Sequence, residues 1–145
     1  MTSYLDSSVL IKLYVSERES EKVVKYVHTL PEAVPFTHLH EIELKNGLRL
    51  KQFRREAHKE RVRASIQLID KDLAAGVLQR LSLSWPEVFR GAEDLSLRYS
   101  ALAGCRSLDL LHVASARLLR ITDFLTYDQR QAGLAAKAGL KVISI

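Results

Sequence analysis

The sequence predicts an α/β fold, a three-layer α/β/α arrangement around a five-stranded, mainly parallel sheet, with residues 1–145 as a single domain. Three observations carry that reading. Short apolar segments alternate with segments of helical periodicity along the whole chain. The connections between the short segments have helix length, as parallel crossovers require and hairpins do not. The chain has 145 residues, 47% of them hydrophobic and 27% charged, which is the size and composition of one globular domain.

Each element has its own signal. Ser3-Tyr4-Leu5 reads as the first strand. Asp6-Ser7-Ser8 follows as a turn, with Ser7 and Ser8 as candidate N-caps for a helix carrying Val9, Leu10 and Leu13. A second helix is expected from near Ser16. Glu17, Glu19 and Glu21 would suit its dipole, Val23, Val24 and Val27 form its apolar stripe, and Pro31 stops it. Ala33 to Thr37 reads as the second strand. Leu39, Ile42, Leu44, Leu48 and Phe53 then mark a helix, expected to continue through residues 54–75 on Val62, Ile66, Ile69 and Leu73 until Gly76 breaks it. Leu78 to Leu83 alternates weakly as a strand. Pro86 suits the N1 position of a helix over residues 86–103, ended by Gly104. Ser107 is expected to cap a strongly apolar helix. Phe124 to Tyr127 is the fourth strand, Asp128 opens a helix ended by Gly139, and Leu140 to Ile145 is the last strand.

Composition narrows the function classes. No apolar run is long enough to span a membrane, and the first residues lack the pattern of a secretory signal. A single cysteine, Cys105, leaves no internal disulfide and no cysteine-rich zinc site, which points to a reducing cytoplasm. The net charge is +5 and is unevenly spread. Residues 1–44 carry −3, residues 45–63 carry +6, and residues 64–145 carry +2. The basic stretch (Lys45, Arg49, Lys51, Arg54, Arg55, Lys59, Arg61, Arg63) is a candidate polyanion surface, although a charge run alone also describes a solvated helix face. Phosphate loops and dinucleotide fingerprints are absent.

In open parallel sheets, chemistry collects beyond the carboxyl ends of the strands. Asp6 ends the first strand, Asp128 ends the fourth, and Asp109 lies in the first turn of the apolar helix. Glu43 follows the second strand on a helix, bracketed by Leu39, Ile42 and Asn46, so it can lean toward the sheet end. Singly, each acid reads as an N-cap, a dipole complement or a solvated residue. Together they would share one pocket, where unpaired carboxylates repel, and a divalent cation relieves that repulsion. Oxygen donors without a histidine or cysteine cage point to Mg²⁺ or Mn²⁺.

Four segments, in order, carry a resemblance. Tyr4-Leu5-Asp6-Ser7-Ser8-Val9-Leu10-Ile11-Lys12 resembles the opening of PIN-domain ribonucleases. Glu43-Leu44-Lys45-Asn46-Gly47-Leu48 resembles their second acidic motif, and Leu108-Asp109-Leu110-Leu111-His112-Val113-Ala114-Ser115-Ala116 the third. Phe124-Leu125-Thr126-Tyr127-Asp128-Gln129-Arg130-Gln131 resembles the fourth. The likeness runs over nearly the whole chain and is strongest to VapC-type toxins of bacterial and archaeal toxin–antitoxin pairs. It implies a Mg²⁺- or Mn²⁺-dependent endoribonuclease acting on RNA, tRNA or rRNA among the candidates, and working as a homodimer inhibited by a cognate antitoxin. It further implies that Asp6, Asp109 and Asp128 hold the metal, that Glu43 completes the pocket, and that Thr126 orients water or phosphate. Ser7 and Asn46 are weaker candidates for positioning substrate or water. The register of Asn46-Gly47-Leu48 selects Glu43 over Glu41, which faces another side of the helix.

Other residues read more plainly. His112, three residues after Asp109, is expected to be a satisfied core-edge group with substrate contact as the alternative. His38 and His40, two apart on a helix, point away from one another and cannot pair on a metal. His28 and His58 lack partners, and Trp85 reads as a packing anchor. Cys105 lacks the surroundings of a nucleophile. Arg98 and Tyr99 could face RNA or a partner. Leu10, Leu13, Val24 and Val27 form a candidate docking face for an antitoxin helix. A haloacid-dehalogenase-like phosphatase is disfavoured because Ser8 stands where its second aspartate belongs, and a receiver domain because the third strand ends without an acid. A catalytically silent PIN-like module that binds RNA or protein remains the alternative.

Overall fold

The computed structural model describes residues 1–145. Five strands alternate with helices: β1 Ser3–Leu5, α1 Ser7–Leu10, α2 Ser20–Thr29, β2 Val34–Phe36, α3 His38–Phe53, α4 Lys59–Ala75, β3 Leu78–Arg80, α5 Trp85–Leu95, α6 Ala101–Ala103, α7 Ser107–Leu118, β4 Asp123–Leu125, α8 Gln129–Lys137 and β5 Lys141–Val142. All strand pairs are parallel. β1 runs beside β4 with Ser3 opposite Asp123 and Leu5 opposite Leu125, β4 beside β5, and β2 beside β3 with Val34 opposite Leu78.

The α/β architecture is as expected, but the ladder is divided. β1-β4-β5 forms one hydrogen-bonded group and β2-β3 another, with β1 and β2 as neighbours. A buried side chain spans the division. His40 Nδ1 accepts the Thr37 N–H at 3.0 Å, so its Nε2 carries the proton and donates to the Leu5 carbonyl at 2.9 Å. The imidazole thus satisfies a strand carbonyl that a ladder bond would otherwise take.

Strand alternation assigns the two sheet faces. Tyr4 and Phe124 stack at 5.4 Å in a cluster with Val88, Leu95, Val113 and Leu134, which places α5, α7 and α8 on one side. Leu5 and Leu125, one residue further on, pack with Leu10, Val23, Phe36, Leu44 and Ile69 against α1 to α4 on the other. Three layers follow directly.

Several boundaries differ from the sequence reading. α2 begins at Ser20 rather than Ser16. The Ser20 hydroxyl accepts the Glu17 N–H and donates to the Val15 carbonyl, tying residues 15–19 into a turn, and Glu19 adopts a φ of 69° before the helix starts. The helix expected through residues 54–75 is interrupted, because α3 ends at Phe53. Arg55 takes a left-handed φ of 61° while the Glu56 N–H returns to the Lys51 carbonyl, a Schellman-type stop built without glycine. The helix over 86–103 is continuous only through a π turn at Ser96–Ser100. Asp6, not Ser7 or Ser8, caps α1, and Arg106, not Ser107, occupies the cap position of α7. β5 is shorter than the segment Leu140 to Ile145.

Candidate active site

The carboxyl ends of β1, β2 and β4 open on one side of the molecule, and the four predicted acids gather there, three of them linked in a chain through Thr126 and Arg106 and the fourth held by Ser7 and His112. Asp6 caps α1 and is 3% exposed. Its Oδ1 accepts the Val9 N–H at 3.0 Å and the Ser8 hydroxyl at 2.6 Å, and its Oδ2 accepts the Thr126 hydroxyl at 2.5 Å. Burial raises its pKa above the usual aspartate value, opposed by His112 and by these hydrogen bonds. Thr126 Oγ1 also accepts the Asp128 N–H at 3.0 Å, so one hydroxyl ties the first acid to the fourth.

The Gln131 amide lies 3.1 Å from the same hydroxyl through its Oε1, while its Nε2 is buried without a partner. Thr126 has a single proton, and Asp6 takes it. Turning the amide over makes its nitrogen the donor to Thr126, a choice the hydrogen-bond network alone decides.

Asp128 plays two roles at once. Its Oδ1 accepts the N–H groups of Arg130 and Gln131 at 2.9 and 3.1 Å, which caps α8. Its Oδ2 accepts Arg106 Nη2 at 2.5 Å. The same guanidinium reaches Asp109, with Nε 3.1 Å from Oδ2 and Nη2 3.4 Å from Oδ1. Arg106 is therefore a bridge between the third and fourth acids, held firmly protonated by Asp109 first and Asp128 next. Sequence reasoning missed it. Its only signal is an arginine three residues before an acid at a helix start, the spacing of an ordinary i,i+3 ion pair.

Glu43 is held separately from the other three acids. Its Oε1 accepts the Ser7 hydroxyl at 3.0 Å and pairs with His112 Nε2. His112 is 3% exposed, and its Nδ1 lies 2.8 Å from the Tyr4 hydroxyl. With Nε2 donating to the carboxylate, Nδ1 accepts from Tyr4, so the ring is satisfied while neutral. His112 is a satisfied core-edge histidine, as expected, and its partner is the second acid. It thereby belongs to the site. Glu41 points elsewhere and pairs with Arg80 and Lys45, which leaves Glu43 as the acid of the cluster. Asn46 is exposed on the next turn of α3. His38 is also exposed, edge-on to Trp85, well apart in orientation from buried His40. Of the expected docking face, Leu10 is fully buried in the core and unavailable. Leu13 and Val24 instead line an open groove of about 430 Å³ with Lys12, Arg61 and Leu68.

The donor set is carboxylate and hydroxyl oxygen, suited in kind to a hard divalent cation. In geometry Thr126 and Arg106 stand between Asp6, Asp128 and Asp109, and no three acidic, imidazole or thiol groups converge on one point. The positive charge at this place is supplied by Arg106.

The chain thus combines a parallel α/β arrangement with acids clustered beyond its strand ends, where open parallel sheets bind their ligands. The PIN-domain model matches residues 3–137, and the chain belongs to the PIN-domain family, whose members are generally nucleases and typically use divalent metals. Its fold is shared with the crystal structure of FitAcB from Neisseria gonorrhoeae, at 18% identity and a TM-score of 0.67 over 99% of this chain and 97% of that one. No curated protein matches the chain. No helix is long and apolar enough to cross a membrane.

Proposed function

We propose that this chain is a Mg²⁺- or Mn²⁺-dependent endoribonuclease of the VapC toxin type. The observation that carries the reading is the gathering of Asp6, Glu43, Asp109 and Asp128, from four separate segments, at one end of the parallel strands. Asp6, Asp109 and Asp128 would hold the cation, which supplies charge neutralisation at the phosphate and acidifies water. Glu43, aimed by Ser7 and His112, would take the proton of the attacking water as its oxygen bonds to phosphorus and the P–O bond to the leaving ribose breaks. Thr126 fixes the orientation of Asp6. Asn46, exposed one turn beyond Glu43, stands where substrate would pass.

The same reading includes a cognate antitoxin, a homodimer and a cytoplasmic setting. The groove lined by Leu13, Val24 and Leu68 supports a docking helix. Phe89, Leu97 and Leu102, exposed on α5, the π turn and α6, support self-association. Leu13→Asp with Val24→Asp should abolish antitoxin capture, and retained binding would remove the groove from the reading.

The ion pairs from Arg106 to Asp109 and Asp128 favour one alternative, a silent module that binds RNA or protein without cutting. Strand scission separates the two. Purified RNA incubated with Mn²⁺ or Mg²⁺ should give discrete fragments that vanish with EDTA and in Asp109→Asn. Intact RNA from folded, metal-binding protein would favour the silent module.

A further inference from the structure

We infer that Arg106 is a positioning residue that competes with the divalent cation for Asp109 and Asp128, and so sets how readily the site loads metal. The inference rests on the metal-dependent reading above. Its basis is geometric. Nη2 lies 3.4 Å from Asp109 Oδ1 and 2.5 Å from Asp128 Oδ2, and Nε lies 3.1 Å from Asp109 Oδ2. The Arg106 backbone N–H adds a weaker contact to Asp109 Oδ2 at 3.4 Å. One fork of donors thus occupies lone pairs on both carboxylates that a cation would use. Mg²⁺ and a guanidinium cannot share those oxygens without strong repulsion.

Arg106 is also the one permanent cation bonded to this cluster, the other nitrogen side chain there being the imidazole of His112. It balances the charge of acids that otherwise repel. Its side chain is 62% exposed, whereas that of Asp109 is 7% exposed. The guanidinium therefore covers the acids from the solvent side and can swing outward without disturbing the core. Asp109 is fixed on α7, and Asp128 is fixed by capping α8. Metal entry then requires the guanidinium to rotate outward and the carboxylates it separates to turn toward one another, with the helices that carry them unmoved.

The test is Mn²⁺ binding by the 145-residue chain, read as the loss of free-ion signal in electron paramagnetic resonance. Arg106→Gln should bind Mn²⁺ about tenfold more tightly than the unaltered protein, in proportion to a charge-assisted pair at a partly exposed site. Asp109→Asn should bind it more weakly. In the unaltered protein, Mg²⁺ titration should move the Arg106 Nε–H resonance in ¹⁵N–¹H spectra, which needs no variant to fold. Equal or weaker Mn²⁺ binding by folded Arg106→Gln, with binding lost in Asp109→Asn, would overturn the competition and leave the metal reading standing. An Arg106 resonance unmoved at saturating Mg²⁺ would do the same. No Mn²⁺ binding by either the unaltered protein or Arg106→Gln would remove both.

Discussion

Asp6 and Asp109 are the two buried acids of the cluster, and the charge of Asp6 works against folding. Its native pKa is raised by burial, so the folded chain takes up this proton at higher pH than the unfolded chain does. Its contribution to stability therefore falls as pH rises from the usual aspartate value through the native one. At pH 7 the ionised group is a net cost. Asn caps a helix as well as Asp does, and when the new amide donates to Thr126 the Gln131 amide can present its Oε1 to accept the freed Thr126 proton. Asp6→Asn should raise Tm at pH 7 by about 2–4 °C and lower RNA cleavage by about 100-fold or more. Thermal melts beside a cleavage assay read both, and a lower Tm would contradict the account. His112 acts on Glu43 rather than on RNA. His112→Phe should reduce kcat by about tenfold with little change in KM, because it removes orientation rather than binding. A large rise in KM would instead place His112 against the substrate.

At the scale of elements, the junction of β1 and β2 depends on one imidazole. Burial, reinforced by His112, pushes the His40 pKa down to about 3. The unfolded chain protonates this group near the ordinary histidine value of about 6.5. Stability from the neutral ring is therefore complete above that pH and is lost as pH falls toward 3. Between pH 4.5 and 6.5 the loss amounts to about 2 kcal/mol, since one proton contributes at most about 1.4 kcal/mol per pH unit. Urea midpoints measured across that range should slope in the unaltered protein and flatten in His40→Gln. An unchanged slope would mean another group governs the acid limb. α3 and α4 show why sequence boundaries slipped. The stop at Arg55 is made by backbone geometry and a returning N–H, with none of the glycine that marks Gly76, Gly104 and Gly139. The late start of α2 follows from a serine side chain competing with the helix for backbone partners.

At the scale of the molecule, the excess positive charge sits away from the acids. Lys45 and Lys51 of the basic stretch are engaged by Glu41, Asp70, Glu17 and Glu56. Arg49, Arg54, Arg55, Lys59 and Arg63 are exposed around the α3–α4 turn. α3 carries Glu43 near its start and ends at this turn, which lies about 16 Å further along the helix axis from that acid at 1.5 Å per residue. A strand reaching the acids can therefore lie along α3. Replacing Arg54, Arg55 and Lys59 together with Glu should weaken RNA binding about tenfold or more at low salt and flatten its salt dependence, because each lost phosphate contact releases fewer counterions. Filter binding at several salt concentrations checks this, and an unaltered slope would assign the RNA path elsewhere.

The alternation of strands and helices and the acids near the strand ends were legible in the sequence alone, and the motif register of the family resemblance pointed to Glu43 rather than Glu41. These are local matters of periodicity and turn chemistry, or of an ordered motif register, and need no knowledge of the partner segments. The tertiary structure alone decided the bridge from Arg106 to Asp109 and Asp128, the pairing of His112 with Glu43 across 69 residues, and the use of His40 to join β1 to β2. Side chains on separate elements meet only where packing brings them, and an arginine, a histidine and a carboxylate each have many satisfactory partners. Which partner is taken depends on burial, because it decides which charges must be balanced and which nitrogens must be satisfied.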